Sequence, residues 1–247
     1  MTMTTSATAS YLSAVQNVLG KALIAEREAI ALAGETVARC FDADGILYVF
    51  GSGHSHVFAE EAFFRAGGPV RVCPVLKPEY MLHVSAQRST ELERQHGHAN
   101  AVLEGYDLVP GRDTLLVVSN SGANPLPVEV ARTAKDRGVT VLAITSREYA
   151  AASRQDGPRL HEVADIVLDN HCPPGDALVE LAADLPRVGP GSSVVGLTLL
   201  HAMLVEAMAR QVNRGGRPDI YLSAGMPRAE EHNALLAEQF GRRIQHI

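Results

Sequence analysis

The chain has 247 residues, 46% hydrophobic and 20% charged, with 22 basic and 28 acidic side chains and a formal net charge of −6. That length accommodates one large α/β domain, and the composition is that of an ordinary globular protein. The acidic balance and the lack of a basic stripe argue against a nucleic-acid partner, so a bound anion has to be held by local geometry and not by the overall field.

Three cysteines, Cys40, Cys73 and Cys172, are far apart and form no C-x-x-C pair. They read as small buried side chains in a reduced, cytoplasmic protein. Residues 1–10 are rich in Ser, Thr and Ala, lack the charged-then-apolar pattern of a signal peptide, and read as a loose tail. The longest apolar stretch, 194–209, contains His201 and Glu206 and is short for a bilayer span. It reads as a core or interface helix, with no membrane partner.

Residues 11–41 have apolar side chains at helical spacing, with Gly20 and Gly34 as places where the helix divides in two. Continuous apolar runs of strand length follow at 46–50, 114–118 and 140–145, with weaker ones at 70–75 and 164–168. Such runs suit strands buried on both faces, and Pro74 puts 70–75 at an edge. Helical segments at 57–66 and 125–137 alternate with them, the second with proline in its first turn and Gly138 just beyond its end. A long helix covers 191–213. Turns follow at 215–218, and a last helix runs over 230–240. The alternation predicts one domain, a doubly wound parallel sheet in a three-layer α-β-α sandwich: a helical segment to residue 44, sheet and covering helices over 45–213, and a C-terminal extension over 214–247.

The first strand runs into Gly51-Ser52-Gly53-His54-Ser55-His56. Glycines let backbone N–H groups approach a ligand, the following helix start favours anions, and Ser52 and Ser55 add hydroxyl donors. His56 stands where a dinucleotide fingerprint needs its third glycine, and no Gly-Lys-Ser/Thr follows, so neither common nucleotide loop is present. The third strand runs into Ser119-Asn120-Ser121-Gly122-Ala123-Asn124, with Asn124 in position to cap the next helix. In a sheet of order 2-1-3-4-5 these loops follow neighbouring strands at the switch point and open into one crevice, which makes a shared anion site.

The paired loops resemble those of the sugar isomerase (SIS) domain, the phosphosugar-binding fold of glucosamine-6-phosphate synthase, phosphoheptose isomerase and N-acetylmuramic acid-6-phosphate etherase. The resemblance covers about residues 11–213. The whole chain is similar to the UPF0309 group of SIS proteins, including a C-terminal His-Asn at His232-Asn233. It implies a five-stranded parallel sheet and a homodimer or homotetramer. It also implies a phosphorylated-sugar ligand held by Ser52, Gly53, His54, Ser55, Ser119, Asn120, Ser121 and Asn124. Phosphoheptose isomerases carry a metal-binding His, Glu, Gln and His. The corresponding positions here are Glu61, Arg65, Ser193 and His201, of which only the last matches, so no metal and no redox cofactor is expected.

Aldose–ketose isomerisation needs a base between C1 and C2 and a donor for the enediol oxygens. The candidate catalytic residues are Glu61 and Glu60 on the helix after the first loop, His54 within that loop, His201 and His232. Glu93 and His98, in the crossover before the third strand, are further candidates, and Ser223 and His232 are expected to approach the crevice. An isomerase, a lyase or etherase on an N-acetylamino sugar phosphate, and a non-catalytic sensor all fit these residues.

Overall fold

The apolar runs at 46–50, 70–75, 114–118, 140–145 and 164–168 form one parallel sheet in a computed structural model that describes residues 6–154 and 156–247. In chain order the elements are α1 (Ala7–Ala25), α2 (Arg27–Asp42), β1 (Leu47–Gly51), α3 (Val57–Ala62), β2 (Val72–Val75), α4 (Ala86–Glu93), α5 (Ala99–Leu103), β3 (Thr114–Val118), α6 (Pro125–Asp136), β4 (Thr140–Thr145), α7 (Arg147–Ala152), α8 (Leu160–Val163), β5 (Ile166–Asp169), β6 (Ala177–Val179), β7 (Val188–Pro190), α9 (Ser192–Asn213) and α10 (Ala229–Phe240). The sheet order is β2-β1-β3-β4-β5, as the alternation predicts, with Pro74 in the edge strand β2.

Strand parity builds the three layers. Tyr48, Phe50, Leu115, Val117, Val141 and Ala143 face one way, into a core shared with α5, α6, α8 and α10. Leu47, Val49, Leu116, Val118, Leu142 and Ile144 face the other way, into a core shared with α2, α3 and α9. Because both faces are covered, the strand interiors are apolar on both faces, without the alternation of a half-exposed sheet, and the polar Thr114, Thr140, Thr145 and Asp169 stand at strand ends.

Several expectations are corrected. Residues 1–5 of the expected tail lie outside the described residues, but the rest of it is structured: the Ser6 hydroxyl accepts the Ala9 N–H at 3.2 Å and starts α1. The N-terminal helix divides at Glu26, not at a glycine. The Glu26 carboxylate accepts the Asp169 N–H at 3.2 Å and pairs with His171 at 2.9 Å, which pins the bend to the end of β5. Gly34 instead lets α2 and α9 approach closely, since a Cβ there would lie 2.5 Å from Glu206 Cγ and 3.3 Å from Ala207 N. The helix predicted over 57–66 stops at Ala62, where Phe63 turns extended and Phe64 takes a φ of 44°. The hairpin β6/β7 was not foreseen. The apolar stretch 194–209 belongs to a 22-residue helix, α9, which is long and apolar enough to cross a membrane by length and composition, with a mean hydropathy of 1.5. Its Val195, Leu199, Leu200, Met203 and Leu204 are packed in the core.

The C-terminal extension is stitched to the amino ends of the strands. Ile220 bridges Pro69 ahead of β2, and Arg243 makes a two-pronged ion pair with Asp113 at 2.9 and 2.7 Å. The Asp113 side chain is wholly enclosed and also accepts the N–H groups of Ile46 and Val109. Removing Arg243 leaves this buried carboxylate only the more distant Arg112, at 3.9 Å, as a cation. Arg243→Ala is therefore expected to lower stability by about 2–4 kcal/mol in urea unfolding. An unchanged unfolding midpoint would contradict this account of the C-terminal extension.

Candidate functional site

The Cα partners Gly51 and Val118 close the β1/β3 ladder. The next residues, Ser52 and Ser119, therefore leave the sheet side by side. Between β1 and α3 the chain makes a 3-10 turn over Gly53–His56, in which Gly53 takes a φ of 56° and the His56 ring bonds the Gly53 carbonyl. The second loop is held from below. The Ser119 hydroxyl accepts the Gly122 N–H at 3.2 Å, the Asn120 carbonyl accepts the Ser146 N–H at 3.0 Å, and the Gly122 carbonyl accepts the Leu160 N–H at 2.7 Å.

The two loops bound a cavity of about 360 Å³ at the carboxyl ends of the strands. Ser52, His54, Ser55, Ser119, Asn120 and Ser121 all line it, and no lysine or arginine is among the described lining residues. Gly53 is buried behind them, and a Cβ there would lie 3.2 Å from Glu93 Oε2. Asn124 occupies the cap position of α6 but does not cap with its side chain, which instead donates to Glu93 Oε1 at 2.5 Å.

Glu93, a secondary candidate from sequence, is one of two carboxylates, with Asp176, that the structure brings into the crevice. It sits at the end of α4, between the two loops. Burial raises its pKa above the usual carboxylate range, and hydrogen bonds from Asn124 and Ser52 and the nearby Arg94 charge pull it partly back.

The carboxylates and histidines favoured from sequence lie elsewhere. Glu60 is half-exposed beside His56, at 3.8 Å. Glu61 pairs with Arg65 and with His201 at 3.0 Å, and neither it nor His201 lines the crevice. The His201 pKa is lowered, first by burial and then by the Arg65 charge. With Arg65 and Ser193 at the remaining positions, this face lacks the donor set of a His/Glu/Gln/His centre, and among the described residues no three His, Cys, Asp or Glu side chains converge on a metal-sized space. His232 bonds the Ile220 carbonyl at 2.9 Å, and neither it nor Ser223 reaches the crevice of its own chain. The C-terminal extension follows the amino-terminal side of the sheet, and the crevice opens on the opposite side. His98 bonds Tyr80 at 3.1 Å and Gln95 at 3.2 Å, away from the cavity.

Residues not singled out from sequence complete the walls. Tyr149 and Asn170 follow the ends of β4 and β5, and Asn170 donates to Asn120 Oδ1 at 2.9 Å. Applying the strand-end rule to every strand, not only the first and third, would have found both. Asp176, for which the sequence carries no local signal, arrives just ahead of β6, and Ser192 and Ser193 begin α9, the helix expected over 191–213, where Ser193 was weighed only as a metal-ligand position.

With this geometry established, comparison with known proteins is informative. The SIS domain family matches residues 10–146. The chain belongs to the SIS-domain family. A UPF0309 protein of Halalkalibacterium halodurans is 39% identical over 238 residues, 95% of each chain, which places this SIS protein in the UPF0309 group. Among solved structures, phosphoheptose isomerase from Neisseria gonorrhoeae superposes with a TM-score of 0.54 at 19% identity, covering 80% of this chain and 95% of that one. The Vibrio vulnificus NanR protein complexed with ManNAc-6P superposes with a TM-score of 0.52 at 14% identity, covering 98% of this chain and 72% of that one. At these identities the likeness is one of fold.

The first loop of this SIS protein tolerates no side chain at its entry. A Cβ on Gly51 would lie 2.3 Å from the Ser55 carbonyl oxygen and 2.5 Å from its carbon, both backbone atoms, whereas one on Gly20 in α1 would meet nothing within 4 Å. Gly51→Ala is expected to destabilise by about 2–4 kcal/mol in denaturant titration. Gly20→Ala is expected to stabilise by about 0.5–1 kcal/mol. Equal effects of the two would show that loop packing does not set the first.

Proposed function

We propose that this SIS protein binds a phosphorylated sugar in the crevice and interconverts its aldose and ketose forms. The observation that carries the reading is the convergence of Ser52, His54, Ser55, Ser119, Asn120 and Ser121 on one cavity with Glu93 between the two loops. Neutral hydroxyl and amide donors at strand ends suit a phosphate dianion, which they hold without a competing salt bridge.

In this reading the serine hydroxyls and Asn120 hold the phosphate, and the open-chain sugar extends over Glu93. Glu93 removes the C2 proton of the aldose and returns it to C1, while His54 gives a proton to O1 as the enediol forms and takes the O2 proton as the enediol becomes the ketose. A raised carboxyl pKa makes Glu93 a stronger base than an exposed glutamate. Glu60, Glu61, His201 and His232 take no part. The ManNAc-6P ligand of the Vibrio vulnificus protein favours a second reading, elimination from an N-acetylamino sugar phosphate, which begins with the same proton abstraction. Three unbridged, buried thiols support a cytoplasmic setting. The exposed Val194, Val205 and Val212, at intervals that return to one face of α9, support a homodimer or homotetramer.

Ser121→Ala is expected to weaken phosphosugar binding by about 1–3 kcal/mol in calorimetry. Unchanged affinity would remove Ser121 from the phosphate site. Solvent deuterium should enter C2 of a bound sugar phosphate with the wild type and not with Glu93→Gln. Incorporation accompanied by the isomer marks an isomerase, exchange or elimination without isomer marks a lyase, and binding without exchange marks a sensor.

The acid limb of kcat/KM should lie above the usual carboxylate range, because the base must be ionised. The stability effect has the opposite sense. A carboxyl whose pKa rises on folding contributes stability that is full below its unfolded pKa and is lost as pH rises through the folded value. Glu93→Gln should therefore be more stable than wild type at neutral pH, and the gap should close on acidification. A gap independent of pH would contradict the burial of Glu93 as an ionised group.

A further inference from the structure

Two chemically unlike sets of groups line the crevice. One is the polar side chains of the two loops. The other is the start of α9, and the start of a 22-residue helix would ordinarily attract an anion. Here that position is already filled by the chain itself. Asp176 Oδ1 accepts the N–H groups of Gly191 at 3.1 Å and Ser192 at 2.8 Å, and Oδ2 accepts the Ser192 hydroxyl at 2.6 Å. Asp176 takes a φ of 63°, and its own carbonyl accepts the Gly191 N–H at 3.2 Å, so its backbone is tied to the α9 start as well.

Asp176 and Ser192 both line the cavity. The positive end of α9 is therefore neutralised from within, and a carboxylate faces the ligand space. Glu93, between the two loops, is a second carboxylate lining the same cavity, and no lysine or arginine among the described lining residues offsets either. A carboxylate offers about four acceptor sites. Three protein donors occupy Asp176, which leaves room for a hydroxyl or ammonium donor and none for another anion.

The geometry points to Asp176 as a specificity-determining residue. It admits sugar monophosphates whose far end is neutral or cationic, and it rejects sugars carrying a second anion, such as bisphosphates and phosphorylated sugar acids. This rests on the phosphosugar reading of the same crevice. It narrows the substrate class to neutral or amino-sugar monophosphates and places ether-linked carboxylic acids outside it.

Two matched pairs of probes test the inference by calorimetry: fructose 6-phosphate against fructose 1,6-bisphosphate, and glucosamine 6-phosphate against 6-phosphogluconate, with inorganic phosphate as a common competitor. In the wild type the member with the second anion is expected to bind about tenfold or more weakly. Asp176→Asn keeps an acceptor for the α9 N–H groups and removes the charge. It is expected to narrow that gap to about threefold or less, by strengthening the doubly anionic ligand. A merely structural cap would weaken every probe alike and leave the gap unchanged. Should the variant fail to fold, the wild-type gap measured in rising salt decides, because a charge-based gap shrinks with ionic strength. Equal binding within both pairs, or a gap insensitive to both charge removal and salt, overturns the role of Asp176 and leaves the phosphosugar reading intact. Absence of binding by every phosphate probe overturns that reading, and the role of Asp176 with it.

Discussion

Lateral pairing of β1 with β3, in a register that ends on Gly51 opposite Val118, is the constraint from which the site follows. Parallel strands in register end at the same height, so the chains leaving them emerge as neighbours whatever the length of the crossover between. Those partners lie 67 positions apart in the chain (118 − 51). Within that crossover the chain forms β2 at the sheet edge and then α4, whose last residue, Glu93, drops between the two loops. A slip of one residue in the ladder would turn Tyr48 and Phe50 to the opposite core and separate Ser52 from Ser119.

Among the described residues no lysine or arginine lines the crevice. Small hydroxyls, amides and loop backbone surround Glu93, and Asp176, already committed to donors at the start of α9, lines the same cavity. Asn124 shows how closely the two functions are joined. Its backbone begins α6, and its side chain makes no capping bond (Pro127, the third helical residue, carries no N–H to offer) and instead holds Glu93. Burial that raises the Glu93 pKa and the hydrogen bonds that moderate it come from the same loops that shape the ligand space.

The opposite end of the sheet is closed by the C-terminal extension. Asp113 gathers the N–H groups of Ile46 and Val109 and the guanidinium of Arg243 at the foot of β1 and β3. This leaves the two ends of the same strands with different tasks, ionic closure at the amino end and an open polar crevice at the carboxyl end. The long ion-paired contact of α2 with α9, in which Glu35 meets both Arg210 and Arg214, locks the layer on which α9 starts at the crevice. The Glu35 carboxyl is held down to about 2, first by its bond to Arg39 and then by those to Arg210 and Arg214, against the opposing effect of burial.

Periodicity alone was enough to read the apolar strands and their alternation with helices, because these depend on local apolar runs, whereas the strand order and the six loop side chains that line the cavity needed the doubly wound rule and the likeness to the SIS family as well. The ends of the helix after β1 and of the N-terminal segment were not legible: where the former ends, Phe64 takes a positive φ and packs at a tilt against Tyr221, and Glu26 divides the latter by pairing with His171. The carboxylates were legible only as candidates. Glu60 and Glu61 lie near the loop in sequence but on faces of α3 turned from the crevice, whereas Glu93 and Asp176 reach it from distant segments. Which acidic groups face a ligand depends on how a crossover and a hairpin fold back over strand ends, and that is decided by long-range packing, with no trace in the residues adjoining the loops.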